Sequence, residues 1–358
     1  MAEKRKLKIA FLSYNSGRVS RGVETFVHEL ANALTNLGHQ VVVYQSGRAL
    51  LGALYKTVII KDQTEPRAAK SYKPFNNYHA LLVKDFTKRT LKAMEPDVDI
   101  VYPTNGQWQA VLTRLWCLQK HKKMIISGQS GPGWDDKINL FTFPHRFIAL
   151  TDYQQKWARK VNSLVRTEKI SNGINLEKFS EEGKPYALSL PKPIILNASA
   201  MVEKKRQDLL IKAVSKLKEG SLVLVGSGEE EDKLKTLCQN LIPGRYKILS
   251  LPYNQMPAIY RACDVFAFPT VPWESFGIVL LEAMASGLPV VATDDPIRRE
   301  IVGGAGLFVD PKDSNNFALA LKKTLAKDWK NLPRKQAEKY AWDKIAQRYE
   351  ALFLKITK

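Results

Sequence analysis

Pro272-Trp273-Glu274-Ser275-Phe276-Gly277-Ile278-Val279-Leu280-Leu281-Glu282-Ala283-Met284-Ala285-Ser286-Gly287-Leu288-Pro289-Val290-Val291 is the stretch whose reading decides the fold. Just upstream, the apolar run from Val265 to Pro269 reads as a buried strand. A loop carrying Glu274 and closed by Gly277 follows. From Ile278 the apolar residues return at helical spacing, and Gly287 with Pro289 behind it stops the helix. Val290 to Thr293 then reads as a second buried strand. Strand, loop, helix and strand form a βαβ crossover, which places Glu274 at the carboxyl edge of a parallel sheet, where such sheets bind ligands.

Glu282 lies one to two turns into the same helix, so the two carboxylates face one crevice from different heights. Between them the backbone N–H groups of Gly277, Ile278 and Val279 open the helix and offer a place for a phosphate oxygen, worth about 0.3–1 kcal/mol in dipole terms. A nucleoside diphosphate with polar groups at both ends is the simplest ligand for this pattern.

The flanking text makes the stretch specific. Two glutamates set in Glu-Ser-Phe-Gly and ending Ala-Met-Ala-Ser-Gly-Leu-Pro-Val-Val-Ala resemble the donor-site signature of retaining glycosyltransferases of the GT-B fold, family 4. The resemblance implies an α/β chain of two doubly wound Rossmann-like domains facing across a cleft. An acceptor-side domain over residues 1–184 would be joined by a C-terminal helix, 336–358, packing back on it. A donor-binding domain would occupy 190–335, with Pro185 to Pro193 as the linker.

Bulk properties agree with two soluble domains. The 358 residues exceed one ordinary core, and 45% hydrophobic with 25% charged residues is a globular composition. No apolar run approaches the roughly 20 residues of a spanning helix. The start, Lys4-Arg5-Lys6-Leu7-Lys8 before Ile9-Ala10-Phe11-Leu12, imitates a signal peptide but breaks at Ser13-Tyr14-Asn15, so a first strand is expected there. Cys117, Cys238 and Cys263 show no metal or redox spacing, and a cytoplasmic location is the default.

The net charge of +20 is uneven: residues 1–186 hold 29 Lys/Arg against 16 Asp/Glu. A basic first half points to an anionic partner such as a membrane leaflet, a lipid phosphate or nucleic acid. A host proteome that runs basic accounts for the charge equally well.

Along the chain, Ser16 to Glu24 is a glycine-bearing loop feeding a helix, and Gly22 is a candidate phosphate contact. It resembles the family's Gly-Gly-Val-Glu loop, with Arg21 where the first glycine often stands. Residues 50–76 read as irregular and basic, with Lys56, Lys61, Arg67, Lys70 and Lys73. Tyr78 to Met94 reads as an amphipathic helix with Lys84, Lys88, Arg89 and Lys92 on its polar side, a solvated face or a membrane-docking one. Asp97-Val98-Asp99 has the form of a metal-binding pair, but Pro96 before it and Ile100-Val101-Tyr102 after it make the acids a turn into a strand. No metal is expected, and basic side chains and helix dipoles must take its place.

The loop Ser127 to Asp135 is a crevice wall in which Gln129 stands where related enzymes often place a histidine. Gln129 can hydrogen-bond a sugar hydroxyl but cannot titrate. Ile170 to Phe179 resembles the family's Asn-Gly-Val-Asp segment. After the strand from Ile194, the cations Lys204, Lys205 and Arg206 precede a helix and can clamp a diphosphate, each charge-assisted bond being worth roughly 1.5–3 kcal/mol. By resemblance Lys205 is the diphosphate lysine, and Ala200 stands where the family's second cation usually is. Gly226 and Gly228 end the next strand and line the nucleoside. The resemblance implies that the strand end from Leu249 to Tyr253 meets the base through backbone atoms.

Together these imply a retaining, metal-independent hexosyltransferase with no cofactor. The donor is a nucleoside-diphosphate sugar and the acceptor lipid-linked or a glycan, in cell-envelope polysaccharide or glycolipid synthesis. The enzyme would be cytoplasmic, or peripheral on the inner face of the membrane at an anionic surface. Glu274 and Lys205 are the expected catalytic residues. Gly22, Lys205, Arg206, Gly226, Gly228, Tyr253, Glu274, Phe276, Gly277, Ile278, Val279 and Glu282 are the expected donor contacts, and Gln129 is a sugar contact. The rival readings are a donor-binding protein with a decayed site, a nucleoside-diphosphate-sugar epimerase or a phosphorylase of the same fold. A nucleic-acid binder rests on charge alone, and nucleic acid is not the expected partner.

Overall fold

Strands covered on both faces are apolar without alternation, and Ile194–Ala198, Val265–Phe268 and Val290–Thr293 are buried at every residue. The computed structural model, which describes residues 5–19, 22–62 and 75–358, folds as two units, 1–173 with 342–358 and 174–341. Each unit is built on a parallel sheet.

In the first unit the strands among the described residues are β1 (Lys8–Ser13), β2 (Gln40–Gln45), β3 (Lys56–Ile59), β4 (Ile100–Pro103), β5 (Lys123–Ser127), β6 (Arg146–Ala149) and β7 (Thr167–Lys169). Their order is β3-β2-β1-β4-β5-β6-β7. In the second unit β8 (Ile194–Ala198), β9 (Ser221–Val225), β10 (Tyr246–Leu249), β11 (Val265–Phe268), β12 (Val290–Thr293) and β13 (Gly306–Val309) run β10-β9-β8-β11-β12-β13. The order of connection reverses between β1 and β4 in one sheet and between β8 and β11 in the other, and each reversal opens a crevice at the strands' carboxyl ends.

Two strands escape the sequence reading. The segment 50–76 contains β3, and β7 is a further edge strand. Neither has a fully buried residue, so neither carries the apolar run that marks the central strands. Arg67, Lys70 and Lys73 lie outside the described residues, as does Arg21. Asp99 and Asp97 sit at the opposite edge of the sheet from the crevice. Asp99 accepts from the Lys8 amide at 2.9 Å and from Arg5 at 3.2 Å, and Asp97 pairs with Lys8, so the acids anchor the start of β1.

The division between the units differs from the expected linker. Phe179 packs against Tyr253 and Tyr260, Arg334 donates to the carbonyls of Leu176, Phe179 and Ala285, and Ile174 bridges to Ala341. Residues 174–184 therefore belong to the second unit, ahead of the irregular stretch that the sequence marks. The C-terminal helix also starts later than 336. A short helix, Leu332–Ala337, and a 3₁₀ turn, Glu338–Tyr340, belong to the second unit, and Ala341 is extended before the last helix, Trp342–Thr357.

That last helix completes the core of the first unit. Phe26 of the helix Gly22–Asn36 meets Trp342 at 6.0 Å and Tyr349 at 6.1 Å, and Tyr349 meets Phe353 at 5.7 Å, each pair measured between ring centroids. Beside this aromatic cluster His39 accepts the Leu7 amide at Nδ1, 3.2 Å, which leaves Nε2 to donate to Glu350 at 3.0 Å. Phe353→Ala should cost about 3–5 kcal/mol, as for other buried aromatic truncations, read as a lower urea midpoint. An unchanged midpoint would mean that the last helix is not part of the core.

Candidate active site

The loops after β8 and β11 meet at the second crevice. From β8 the chain turns through a 3₁₀ turn, Glu203–Lys205, and Arg206 takes a left-handed conformation, φ 54°, before the helix Gln207–Val214. The carbonyl of Lys204 accepts from the Val271 amide and the Thr270 hydroxyl, both at 3.1 Å, which holds the two loops together. Beneath them Asn197 donates to the Ala267 carbonyl, Ser199 to Asn197, and Gln207 to both the Ser199 hydroxyl and the Ala200 carbonyl.

Within this frame Lys205 Nζ lies 3.0 Å from Glu274 Oε2, and Lys204 Nζ lies 3.8 Å from the same oxygen. The Ser275 amide donates to Glu274 Oε1 at 3.2 Å. Burial acts to raise the Glu274 carboxyl, but Lys205, Lys204 and the amide outweigh it and hold the group below the usual range. Burial lowers Lys205 against the opposing pull of Glu274. Its ammonium also lies 5.5 Å from the centre of the Phe268 ring. The guanidinium of Arg206 has no hydrogen-bond or ion-pair partner among the described residues.

Glu282 behaves in the opposite way. It is 2% exposed on the helix Ile278–Ala285, with Oε2 accepting from Tyr260 at 2.8 Å and Oε1 from Tyr253 at 3.2 Å. Burial pushes its carboxyl up to about 7, with the two phenols and Lys178 pulling it back. Lys178 Nζ sits 3.8 Å above the Tyr253 ring. Tyr253 thus lies between a cation and the carboxylate, a coupling that no local sequence pattern announces.

The glycines serve close packing. Gly277 caps the helix at φ 76°, and a Cβ there would lie 3.2 Å from the Phe268 ring. A Cβ at Gly226 would meet the Ser199 carbonyl oxygen at 2.1 Å, and one at Gly228 the Met201 oxygen at 2.3 Å. These two bring the end of β9 against the turn after β8. Ile278 and Val279, in the helix's first turn, carry amides without an intrahelical acceptor.

Three further expected contacts lie outside this frame. Phe276 is buried, its ring tilted 68° against Tyr340 at 6.0 Å, so it packs the core and does not offer a face to a ligand. An apolar ring beside a helix start gains more from that packing than from exposure. Gly22 opens its helix in the first unit with open space around it. Gln129, also in the first unit, exchanges amide hydrogen bonds with Asn172 at 3.1 and 3.2 Å and donates to Ser127 at 3.1 Å.

Arg298, absent from the sequence reading, holds the glutamate loop. It is 0% exposed on the helix Pro296–Val302. Its Nε donates to Asp295 at 2.7 Å, and its terminal nitrogens donate to the carbonyls of Pro272 at 2.8 Å, Glu274 at 3.0 Å and Ser275 at 2.7 Å. Asp295 also caps the same helix through the amides of Ile297 and Arg298. The signal available in sequence was slight: Asp-Pro-x-Arg at a helix start, without any mark of what the arginine reaches.

Two family models match the chain in succession. Glycosyltransferase Family 4 matches residues 20–178, and Glycosyl transferases group 1 matches residues 178–342. An uncharacterized glycosyltransferase of Methanocaldococcus jannaschii is 33% identical over 202 residues, 50% of this chain and 51% of that protein. The phosphatidyl-myo-inositol mannosyltransferase of Mycobacterium leprae is 32% identical over 190 residues, 51% of this chain and 50% of its own. The chain spans about half the length of the curated relatives it matches. Among solved structures, a sucrose-phosphate synthase from Thermosynechococcus elongatus superposes with a TM-score of 0.78 at 20% identity, covering 98% of this chain and 99% of the other. Anabaena HepE, in complex with UDP and glucose, gives 0.76 at 18% identity, covering 97% and 99%. The fold is the GT-B fold of these neighbours.

Two expectations follow from the geometry. Arg298→Met leaves Asp295 buried without its partner and three carbonyls without a donor, and should cost about 3–5 kcal/mol in chemical denaturation; a change under 1 kcal/mol would refute the clamp. Glu282, held at about 7 when folded and near the ordinary carboxyl value of 4.5 when unfolded, binds more protons in the folded state between those values. Its contribution is therefore full below about pH 4.5 and is lost as pH rises through about 7, by an amount on the order of 3 kcal/mol. Melting temperatures of the wild type and Glu282→Gln should diverge across that window, the wild type falling relative to the amide variant; parallel curves would contradict the assignment.

Proposed function

The chain belongs to the group 1 and family 4 glycosyltransferases, and we propose that it is a retaining, metal-independent transferase using a nucleoside-diphosphate sugar. It moves a hexose to a lipid-linked or glycan acceptor in the synthesis of cell-envelope polysaccharide or glycolipid. It works in the cytoplasm or at the inner face of the membrane. The observation that carries the reading is the Lys205–Glu274 pair, 3.0 Å apart where the strand order reverses, with buried Glu282 on the helix that follows.

In this reading Lys205 lies against the donor diphosphate, with Arg206 and the amides at the start of the Ile278–Ala285 helix. Positive charge fixed there favours departure of the diphosphate. Glu274 accepts from the hexose hydroxyls, its oxygens oriented by Lys205 and the Ser275 amide. Glu282 accepts from the ribose through lone pairs left by the two phenols. The bond from the sugar carbon to the phosphate oxygen breaks, that oxygen takes the acceptor's hydroxyl proton, and the acceptor oxygen bonds to the carbon on the same face. The names of the relatives support a hexose donor: mannosyltransferases of Mycobacterium leprae and Mycolicibacterium smegmatis, the second named as GDP-mannose-dependent.

Ala200 favours one second reading, a donor-binding protein with a decayed site. It is exposed where the resemblance calls for a cation, and Arg206 is the side chain free to replace that charge. Among the described residues no helix is long and apolar enough to cross a membrane.

A panel of donors including GDP-mannose, UDP-glucose and UDP-N-acetylglucosamine, assayed in chelator for binding and hydrolysis, separates the readings. One donor should be turned over by the wild type, and Lys205→Ala and Glu274→Gln should each lower kcat/KM roughly tenfold or more, the loss of one charge-assisted contact. Binding without turnover would favour the decayed site, and no binding to any donor would refute both.

A further inference from the structure

Helices that pack on a sheet normally bury their apolar stripes. Two in the first unit keep a stripe exposed. The helix Trp108–Gln119 carries Val111, Leu115 and Leu118, and the helix Trp134–Phe141 carries Trp134, Ile138 and Phe141, each at the spacing i, i+4, i+7 of one helical face. Leu115 is 59% exposed, Leu118 52%, Trp134 65% and Phe141 52%. The inward faces are occupied separately, by Ala110, Cys117 and Leu140 in the core. A groove of about 250 Å³ joins the stripes, lined by Val111, Trp134, Ile138 and Phe141 with Lys137 and Phe75.

The charge around this apolar surface is one-sided. From Ile100 to Trp134 the chain has no Asp or Glu, while Arg114, Lys120, Lys122 and Lys123 fall in that span. Lys137 lies 5.5 Å from the centre of the Trp134 ring, and Lys84 lies 4.1 Å from that of Trp108, which brings the basic side of the helix Tyr78–Ala93 alongside. Of the nearby acids, Asp136 is buried, Asp135 accepts from Gln107 at 3.1 Å, and Asp85 pairs with Arg89 at 2.7 Å.

We propose that this face of the first unit docks on an anionic lipid bilayer, with the Leu115–Leu118 and Trp134–Phe141 stripes among the acyl chains and the surrounding lysines and arginines at the lipid phosphates. Exposed leucines and aromatics flanked by cations, on helices lying side by side, match the interfacial region of a membrane: apolar depth in the middle and fixed positive charge at the margin. Protein interfaces are depleted in lysine, whereas Lys84 and Lys137 lie directly against the tryptophans here, which favours a lipid surface over a protein partner. The surface is remote in sequence from Lys205, Glu274 and Glu282, and its test reads binding and not turnover, so it stands or falls separately from the donor site.

The test is flotation of the whole chain with vesicles of phosphatidylcholine alone or with about one third phosphatidylglycerol, at low and raised salt. The wild type should float with the anionic vesicles, less so in salt, and not with neutral ones. Leu115→Ser with Phe141→Ser, both exposed, should lower the partition coefficient about tenfold or more while leaving the melting temperature in place. Lys137→Glu should weaken flotation by itself, and Leu319→Ser, an exposed leucine of the second unit, should leave it unchanged. Absence of flotation with anionic vesicles would overturn the proposal. So would flotation that the serine variant matches, since charge alone would then account for it, or a dimer in sedimentation that the same variant dissolves.

Discussion

A guanidinium shut away from water must find an acceptor for nearly every N–H or destabilise the fold. Arg298 finds four, and three of them are backbone carbonyls of the loop that bears Glu274. The loop therefore has little freedom to choose its path. Its conformation is set from beneath, by a side chain that never reaches the crevice, and the carboxylate it presents is set with it. The opposite wall is fixed by a similar economy: the Lys204 carbonyl takes two donors from Thr270 and Val271, so the lysine turn and the glutamate loop move as one piece.

That rigidity explains why two glutamates eight positions apart acquire opposite electrostatic characters. Glu274 is half-buried beside two ammonium groups, which hold it charged. Glu282 is buried beside two phenols, which are weaker at holding a carboxylate ionised, and its proton is retained to about pH 7. One side chain type thus provides a fixed negative charge and a group poised near neutrality, separated by the end of a loop and the first turn of a helix. The difference lies wholly in what other elements bring up to them: the turn after β8 in one case, and in the other the 3₁₀ turn Tyr253–Gln255 and the short helix Met256–Arg261 that follow β10.

The first unit divides its two faces just as sharply. One face closes over an aromatic core completed by the last helix of the chain, with His39 and Glu350 as a buried polar tie. The other carries helices whose inner residues pack normally while their outer residues remain apolar and large. A solvated helix layer would have exchanged those leucines and aromatics for charged residues. The basic side chains have instead collected around them.

The sequence by itself determined the two parallel sheets and the place of the crevice. Continuous apolar runs such as Val265 to Phe268, short and bounded by turn residues, read as strands covered on both sides, and Gly277 and Gly287 punctuate the helix between two of them. The two glutamates were legible for the same reason, since each sits at a fixed distance from such a run, whereas Lys205 stood out from the cations beside it only by its resemblance to a family motif. The edge strands β3 and β7 were not, because half-exposed strands lack the run. Nor were the true unit boundaries, the burial of Phe276 or the clamp of Arg298. These depend on pairings between segments far apart in the chain: Arg334 with the carbonyls near Phe179, Tyr340 with Phe276, Arg298 with the loop more than twenty residues before it. Spacing along the chain reports which face a residue occupies. Only the folded structure decides what stands opposite that face, and it is the opposing group that sets a buried side chain's charge, its freedom and its role.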